Sequence, residues 1–327
     1  VNAEGPADPL GAEEYRVKTG QAGMRIDRFV KDRRPELSRR EIVFWIQEQG
    51  ILCNGRPTRK GAILCEGDRV ELRIPSGSTG GGVAPEPDIE LRILWEDSVL
   101  VAVDKAPGMP THPLHAGERG TVANGLVALY PEMEGVGFSP REPGILHRLD
   151  RDTSGVLLAA RKDSAFEKLR VEFEQGRVVK VYYAVVHGRP EPEGVISRPV
   201  ASRGRRARRV EVVRDELAAR GLRGYSPAET HYSTVRTSRG FSFVRLRMTT
   251  GARHQLRAHM AFLGHPVVGD PVYGRTPRAS RPGQQPERHL LHAAELRFFH
   301  PQQGKPIKIR SPIPADMRSF LKNLTRT

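Results

Sequence analysis

Residues 75–87 read Pro-Ser-Gly-Ser-Thr-Gly-Gly-Gly-Val-Ala-Pro-Glu-Pro, and this stretch constrains the fold most strongly. Glycine and serine leave the backbone nearly free, proline removes donors, and no hydrophobic period is present, so neither helix nor sheet ladder is favoured. The chain is therefore expected to fold as two units, over 20–75 and 88–323, joined by a flexible linker over 76–87. Residues 1–19 are expected to be disordered. The first fifteen are acidic and carry no apolar core, which suits neither a secretory signal nor an Arg-rich transit peptide.

The first unit reads as two helices and a hairpin. Met24, Ile26, Phe29 and Val30 mark one helix; Ile42, Phe44, Trp45 and Ile46 mark a second, opened by a Ser38/Glu41 capping box and stopped by Gly50. Ile51-Leu52-Cys53 then enters an Asn54-Gly55 turn, a strong hairpin signal. Beyond the linker, short strands interleave with a few helices without regular strand–helix alternation, which indicates an α+β fold with a mixed sheet. Cys53 and Cys65 are the only cysteines, so a disulfide framework is excluded; buried or half-buried free thiols in a reducing cytoplasm are expected, with a single bridge as the alternative.

Charge narrows the partner. Fifty-three Lys+Arg oppose 38 Asp+Glu, a formal net charge of +15, and arginine outnumbers lysine. Such a surface attracts polyanions, nucleic acid ahead of membrane, because no basic amphipathic helix stands out. Arg25, Arg28, Lys31, Arg33, Arg34, Arg39 and Arg40 surround the first two helices. Arg203, Arg205, Arg206, Arg208 and Arg209 crowd one later loop. Each cluster reads either as a solvated face or as an RNA contact; the excess of positive charge favours RNA.

The chemistry concentrates in His-Arg-Leu-Asp-Arg-Asp-Thr-Ser-Gly, residues 147–155, between the apolar runs 144–146 and 156–160. So many polar groups between buried segments are costly unless paired or working. No Gly-x-Ser-x-Gly elbow surrounds Ser154, no phosphate-binding loop is present, and no His/carboxylate spacing suits a metal. A kinase catalytic loop would place its acid directly after the arginine, and here a leucine intervenes. What remains is a carboxylate acting without metal or nucleotide.

Two resemblances sharpen this. Arg-Ile-Asp-Arg-Phe, Leu-Ser-Arg-Arg, Asn-Gly and Gly-Asp-x-Val, in that order, resemble the S-four RNA-binding domain. "GILHRLDRDTSGVLLAARK", with "GMPTHP", "KVYYAVVHG", "TTGARHQLRAHMAFLGHPVVGDPVYG" and "LLHAAELRFFHP", resembles the RNA pseudouridine synthases of the ribosomal large-subunit type. The resemblance covers the chain from about residue 20. It implies a mixed, mainly antiparallel catalytic sheet, isomerisation of uridine in RNA, most readily large-subunit ribosomal RNA, and no cofactor. A cytoplasmic protein working as a monomer is expected. The alternative is a non-catalytic RNA-binding assembly factor.

By resemblance, Asp150 is the catalytic group, as nucleophile or base, and Arg257 is the partner that keeps it ionised. Tyr182 is marked twice, by the Lys-x-Tyr-x-Ala match and by strand alternation. That alternation puts it with Lys180 on a wet, substrate-facing side and Tyr183 in the core. Arg148 either stacks in the gap left by a flipped base or pairs with Asp152 or a carbonyl. Asp152 is expected to cap the turn or pair with arginine, and His147 to orient the loop. The family's Gly-Arg-Thr-His-Gln-Ile-Arg is here Gly251-Ala252-Arg253-His254-Gln255-Leu256-Arg257, which displaces one arginine.

RNA affinity should fall steeply with added salt, and replacing Arg205, Arg206, Arg208 and Arg209 with serine should make the slope shallower. Filter binding across a salt series measures this; an unchanged slope would remove the loop from the RNA interface.

Overall fold

The computed structural model describes residues 12–35, 37, 39–74, 82–115, 117–204, 207–214, 222–274 and 286–323. The first unit packs the helices Ile26–Arg33 and Arg39–Gln47 on a four-stranded antiparallel sheet. Asn54 (φ 53°) and Gly55 (φ 71°) both occupy the left-handed region, as a two-residue hairpin turn requires. Ile26, Phe29, Val30, Ile42, Trp45 and Ile46 form one core with the strand residues Ile51, Val70 and Leu72. Ser38 of the expected capping box lies outside the described residues.

Two boundaries differ from expectation. Glu13–Arg16, expected to be disordered, is an edge strand whose Tyr15 pairs with Val70. Its alternating pattern is too short to register as a period, and the ladder to residues 69–72 supplies the order. At the linker, Val83 is buried against Ala123 and Val127, and Ala84 O accepts from Asn124 Nδ2 at 2.8 Å. Glu86 N–H bonds Asn124 O at 3.1 Å. Residues 82–87 therefore belong to the second unit; 75–81 lie outside the described residues.

The basic cluster on the first unit is partly consumed by its own fold. Arg25 forks onto Asp27, Arg34 pairs with Glu13, and Lys31 donates to the carbonyls of Pro35 and Leu37. Arg33 lies over the Phe29 ring. Arg28 makes no hydrogen bond or ion pair among the described residues, and the side chains of Arg39 and Arg40 lie outside them.

The second unit is built on one nine-stranded sheet. Its path runs Arg92–Glu96, Leu100–Lys105, Ser154–Ala160, Leu291–Phe299, Val179–His187, Phe241–Met248, Glu229–Ser238, Glu193–Ser197, and Pro306–Arg310 pairs with Leu291–Phe299. All pairings are antiparallel except Ser154–Ala160 against Leu291–Phe299, so the expected mixed, mainly antiparallel sheet is present. Both faces are covered. Val101, Leu157, Tyr182, Leu246, Leu256 and Met260 share one core; Leu100, Leu158, Phe166, Leu169 and Phe298 share another across the sheet. A strand buried on both faces has no reason to alternate, which explains the apolar run 156–160.

Gly155 sits where the parallel pair begins. Its φ is 113°, and a Cβ there would lie 2.1 Å from Ala293 O. Only glycine lets these strands approach. Cys53 and Cys65 are free thiols, the first half-buried and the second exposed. Among the described residues no helix is long and apolar enough to cross a membrane.

A chain beginning at residue 82 should fold and melt close to the full-length protein's second transition. One beginning at residue 88 should melt lower, because it uncovers Ala123 and Val127 and unpairs Asn124. Calorimetry on the two truncations checks this; equal melting temperatures would show that 82–87 contributes nothing.

Candidate active site

Apolar strands bring the polar nonapeptide to the edge of the core, and distant side chains then hold its backbone. Each carbonyl from Leu149 to Asp152 is taken. Leu149 O accepts from Thr111 Oγ1 (3.0 Å), Asp150 O from Thr153 N–H (3.0 Å), Arg151 O from Lys105 Nζ (2.7 Å) and Asp152 O from Arg288 Nη1 (2.9 Å). Lys105 is fully buried and also donates to Ala106 O and Met109 O, giving each ammonium proton one acceptor. Burial pulls its pKa down to about 7, while these carbonyls favour the charged form. Arg288 is anchored in turn by both oxygens of Asp316 on the helix Ala315–Asn323.

The loop so held presents Asp150. Its Oδ2 accepts from Arg257 Nη1 at 2.7 Å, and the rest of that guanidinium forks onto Asp270, Nε to Oδ2 at 2.7 Å and Nη2 to Oδ1 at 2.9 Å. Exposure separates the three. The side chain of Asp270 is 0 % exposed, that of Arg257 6 %, and that of Asp150 23 %, so Asp150 is the one open to a ligand. One cation between two carboxylates leaves a net negative centre.

Burial works to raise the Asp150 pKa, but His254 and Arg257 outweigh it and hold the carboxyl below its ordinary value. His254 Nε2 stands 3.9 Å from Asp150 Oδ1. Burial lowers the His254 pKa, so near neutrality the ring is uncharged and Arg257 carries the stabilising charge. Burial also opposes the Arg257 charge, and its two carboxylates more than reverse that, so it stays protonated.

The helix Gln255–Phe262 sets Arg257. His254 (φ 54°) turns the chain into it, and Gln255 Oε1 accepts from Ala252 N–H and the Thr250 hydroxyl. Leu256 and Met260 lock the helix into the sheet's core. The displaced arginine of this motif, Arg253, donates to the carbonyls of Ala207 and Arg208 and fastens the arginine-rich loop to the site. Arg203 of that loop pairs with Glu211; Arg205 and Arg206 lie outside the described residues.

Tyr182 lies across from this centre, on the sheet face that shares the Leu256 and Met260 core. The wet face expected from strand alternation is dry, since Tyr182 is 4 % exposed and Lys180 5 %. The alternation identified the right face but not the layer that covers it. Burial, then the charge of Asp150, pushes the Tyr182 phenol up, so it stays protonated. Its hydroxyl makes no hydrogen bond among the described residues. Tyr183, on the other face, stacks on Phe243 at 5.0 Å as expected of a packing residue.

Arg148 is exposed and has no hydrogen bond or ion pair among the described residues, so the expected pairing with Asp152 is not formed. The Asp152 side chain does not cap or pair either; its carbonyl is the group engaged, through Arg288. His147 orients the loop as expected. Nε2 accepts from Leu158 N–H, the ring stacks on Phe173 at 5.2 Å, and burial lowers its pKa to about 3. Among the described residues no three His, Cys, Asp or Glu side chains gather as a metal site.

Residues 99–262 match the family model described as RNA pseudouridylate synthase, and residues 24–70 match the S4 domain. An RNA pseudouridine synthase of Chloroflexus aurantiacus is 38 % identical over 99 % of this chain and 98 % of its own. The chain belongs to the RNA pseudouridine synthases. Ribosomal large subunit pseudouridine synthase D of Escherichia coli (strain K12) is 33 % identical over 94 % of this chain and 92 % of its own. Human RNA Pseudouridylate Synthase Domain Containing 1 is 26 % identical, with a TM-score of 0.54 over 74 % of this chain and 98 % of that one. This RNA pseudouridine synthase is thus an isomerase with an N-terminal S4 RNA-binding domain.

Sequence reasoning had passed over Asp270, Lys105 and Arg288. Asp270 carried one local signal, Gly-Asp-Pro followed by Gly274, and its Oδ1 does accept from Val272 and Tyr273 N–H in an Asx turn. Nothing in that signal indicates Arg257.

Asp270→Asn should cost about 3 kcal/mol at neutral pH, since it weakens a buried, bidentate pair. Asp270 and Asp150 both titrate below their ordinary values in the native state. Their stabilising contribution is therefore full above the unfolded carboxylate pKa of about 3.9 and is lost as pH falls through the native values. Urea unfolding should show the gap between wild type and variant closing below that pH; a gap independent of pH would assign the loss to packing instead.

Proposed function

We propose that this isomerase converts uridine to pseudouridine in large-subunit ribosomal RNA, with Asp150 as its catalytic carboxylate and no cofactor. One observation carries the reading. A single ionised carboxylate reaches solvent at the edge of a dry core, held by a guanidinium whose other side is neutralised by Asp270. The RNA class rests on the Escherichia coli relative, whose name specifies the ribosomal large subunit.

The reaction breaks the N1–C1′ bond of uridine and joins C1′ to C5. The proton on C5 leaves and N1 gains one, so no atom is lost overall. Breaking the glycosidic bond builds positive character on the ribose, which an ionised Asp150 in a net negative centre stabilises. It does so as nucleophile at C1′ or as base toward a ribose proton. Arg257 restrains the carboxylate so that its charge needs no reorganisation as the sugar changes. The Tyr182 ring offers a surface on which the released base can stack while it turns. Its unpaired hydroxyl, protonated throughout, can accept the C5 proton only while passing on its own, so its part is that of a relay. In this reading Arg148, exposed and without a hydrogen bond or ion pair among the described residues, stacks in the gap a flipped uridine leaves.

Asp150→Asn keeps shape and removes charge. Isomerisation, read as tritium release from C5 of uridine, should fall by at least about three orders of magnitude, while RNA affinity stays within about threefold because phosphates carry most of it. Asp152→Asn should retain most of the rate, since its carboxylate makes no hydrogen bond or ion pair among the described residues. Comparable turnover in Asp150→Asn and wild type would remove Asp150 from the mechanism.

A further inference from the structure

The proposed mechanism leaves one buried cation unused. Lys180 follows the start of the strand Val179–His187 and shares the sheet face of Tyr182, two residues away. It is 5 % exposed, yet among the described residues it makes no hydrogen bond and no ion pair. Its ammonium has only the Phe173 ring, 5.4 Å away. Lys105 makes the contrast plain. There an equally buried ammonium gives every proton to a carbonyl. An ammonium mostly withdrawn from water, with no protein acceptor, is a cost to the fold, and selection for stability alone would favour an apolar residue of the same length.

Its surroundings leave the ammonium a narrow opening. Gly251, at the start of the segment that leads into His254 and Arg257, lies directly against it. A Cβ at that position would stand 3.1 Å from Lys180 Nζ. Gly251 has no positive φ, so its backbone would accept alanine, and what the glycine provides is the space over the ammonium. Nζ itself is not sealed from solvent, unlike Trp45 Nε1, His112 Nδ1, Arg170 Nε and His289 Nδ1, the buried polar atoms that lack partners among the described residues. His147, whose ring packs on the same Phe173, bounds the other side and is neutral. Burial draws the Lys180 pKa to about 8, which leaves most of the ammonium protonated at neutral pH.

We propose that Lys180, kept open by Gly251, binds a backbone phosphate of the RNA strand next to the target uridine. The placement fits that ligand. Two residues along a strand span about 7 Å, close to the separation of neighbouring phosphates in an extended single strand, so a nucleotide at Tyr182 brings a flanking phosphate to Lys180. A phosphate supplies acceptor oxygens to an ammonium that has none, and the burial around Lys180 strengthens the pair. The proposal rests on the reading of Asp150 and Tyr182 as the reacting site, but its binding arm is independent of turnover.

Lys180→Met removes the charge and keeps the length. Its melting temperature should equal or exceed that of wild type, because a buried unpaired charge is lost. Its KM for a short RNA should rise about tenfold with kcat changed less than about threefold, and Lys180→Arg should recover part of the affinity. Filter binding of a catalytically inert single-stranded RNA should show a salt slope shallower by about 0.7, the value for one phosphate contact. Gly251→Ala should raise KM in the same direction. A lowered melting temperature with unchanged KM and slope would make Lys180 structural. A kcat loss without a KM change would make it part of the chemistry. Either result overturns the proposal. If wild type releases no tritium, the functional reading fails, and the salt slope still decides whether Lys180 binds phosphate.

Discussion

The site depends on one guanidinium with two carboxylates. Arg257 spends two of its donor groups on Asp270 and one on Asp150, and the three side chains differ in exposure from sealed to partly open. A lone buried arginine would have to be neutralised by the nearest acid, which would then be too strongly bound to act. Asp270 removes that demand. It neutralises and orients Arg257, so the bond to Asp150 can restrain the carboxylate without consuming its charge. The centre stays negative, the sign that a cationic sugar requires.

The same division between the groups that hold and the carboxylate proposed to react runs through the backbone. Asp150 sits on a turn whose carbonyls are claimed by Thr111, Thr153, Lys105 and Arg288. These come from both sides in sequence: Lys105 and Thr111 from about forty positions before the loop, Arg288 from more than a hundred after it. Satisfying each carbonyl with a separate element removes the freedom of the turn to re-register. It also couples the loop to the last helix through Asp316. A carboxylate acting at one carbon needs placement within a fraction of an ångström, and several buried hydrogen bonds of about 1 kcal/mol each are a direct way to secure it.

Charge across the molecule is less freely available than composition suggests. Of the basic residues around the first two helices, Arg25, Lys31, Arg33 and Arg34 are engaged by acids, carbonyls or rings of their own unit. Arg253 is likewise committed to fastening a loop. Positive charge meant for RNA is better recognised by what does not hold it: among the described residues Arg28 and Arg148 make no hydrogen bond or ion pair, and Lys180 has only the Phe173 ring. A basic residue without a partner is informative where it is exposed beside a site, and more so where it is buried.

Local pattern determined a great deal. The Asn54-Gly55 turn, the apolar faces of both helices, the fully apolar strand 156–160 and the glycine at 155 follow from periodicity and backbone sterics, which act over a few residues. The motif around Asp150 identified the reacting candidate, and Arg257 and Tyr182 came with the family pattern. Tertiary structure alone decided the rest. Asp270, Lys105 and Arg288 act through contacts 13, 46 and 136 residues away in sequence, and no local spacing encodes such a distance. The order of Glu13–Arg16 likewise came from a ladder to residues 69–72, and the docking of 82–87 from a helix at 122–129. Lys180 shows the limit most clearly. Strand alternation placed it on the face of Tyr182, but whether that face was wet depended on the layer folded over it. A sequence records which side of a strand a residue takes; only the packed fold sets its dielectric and its partners.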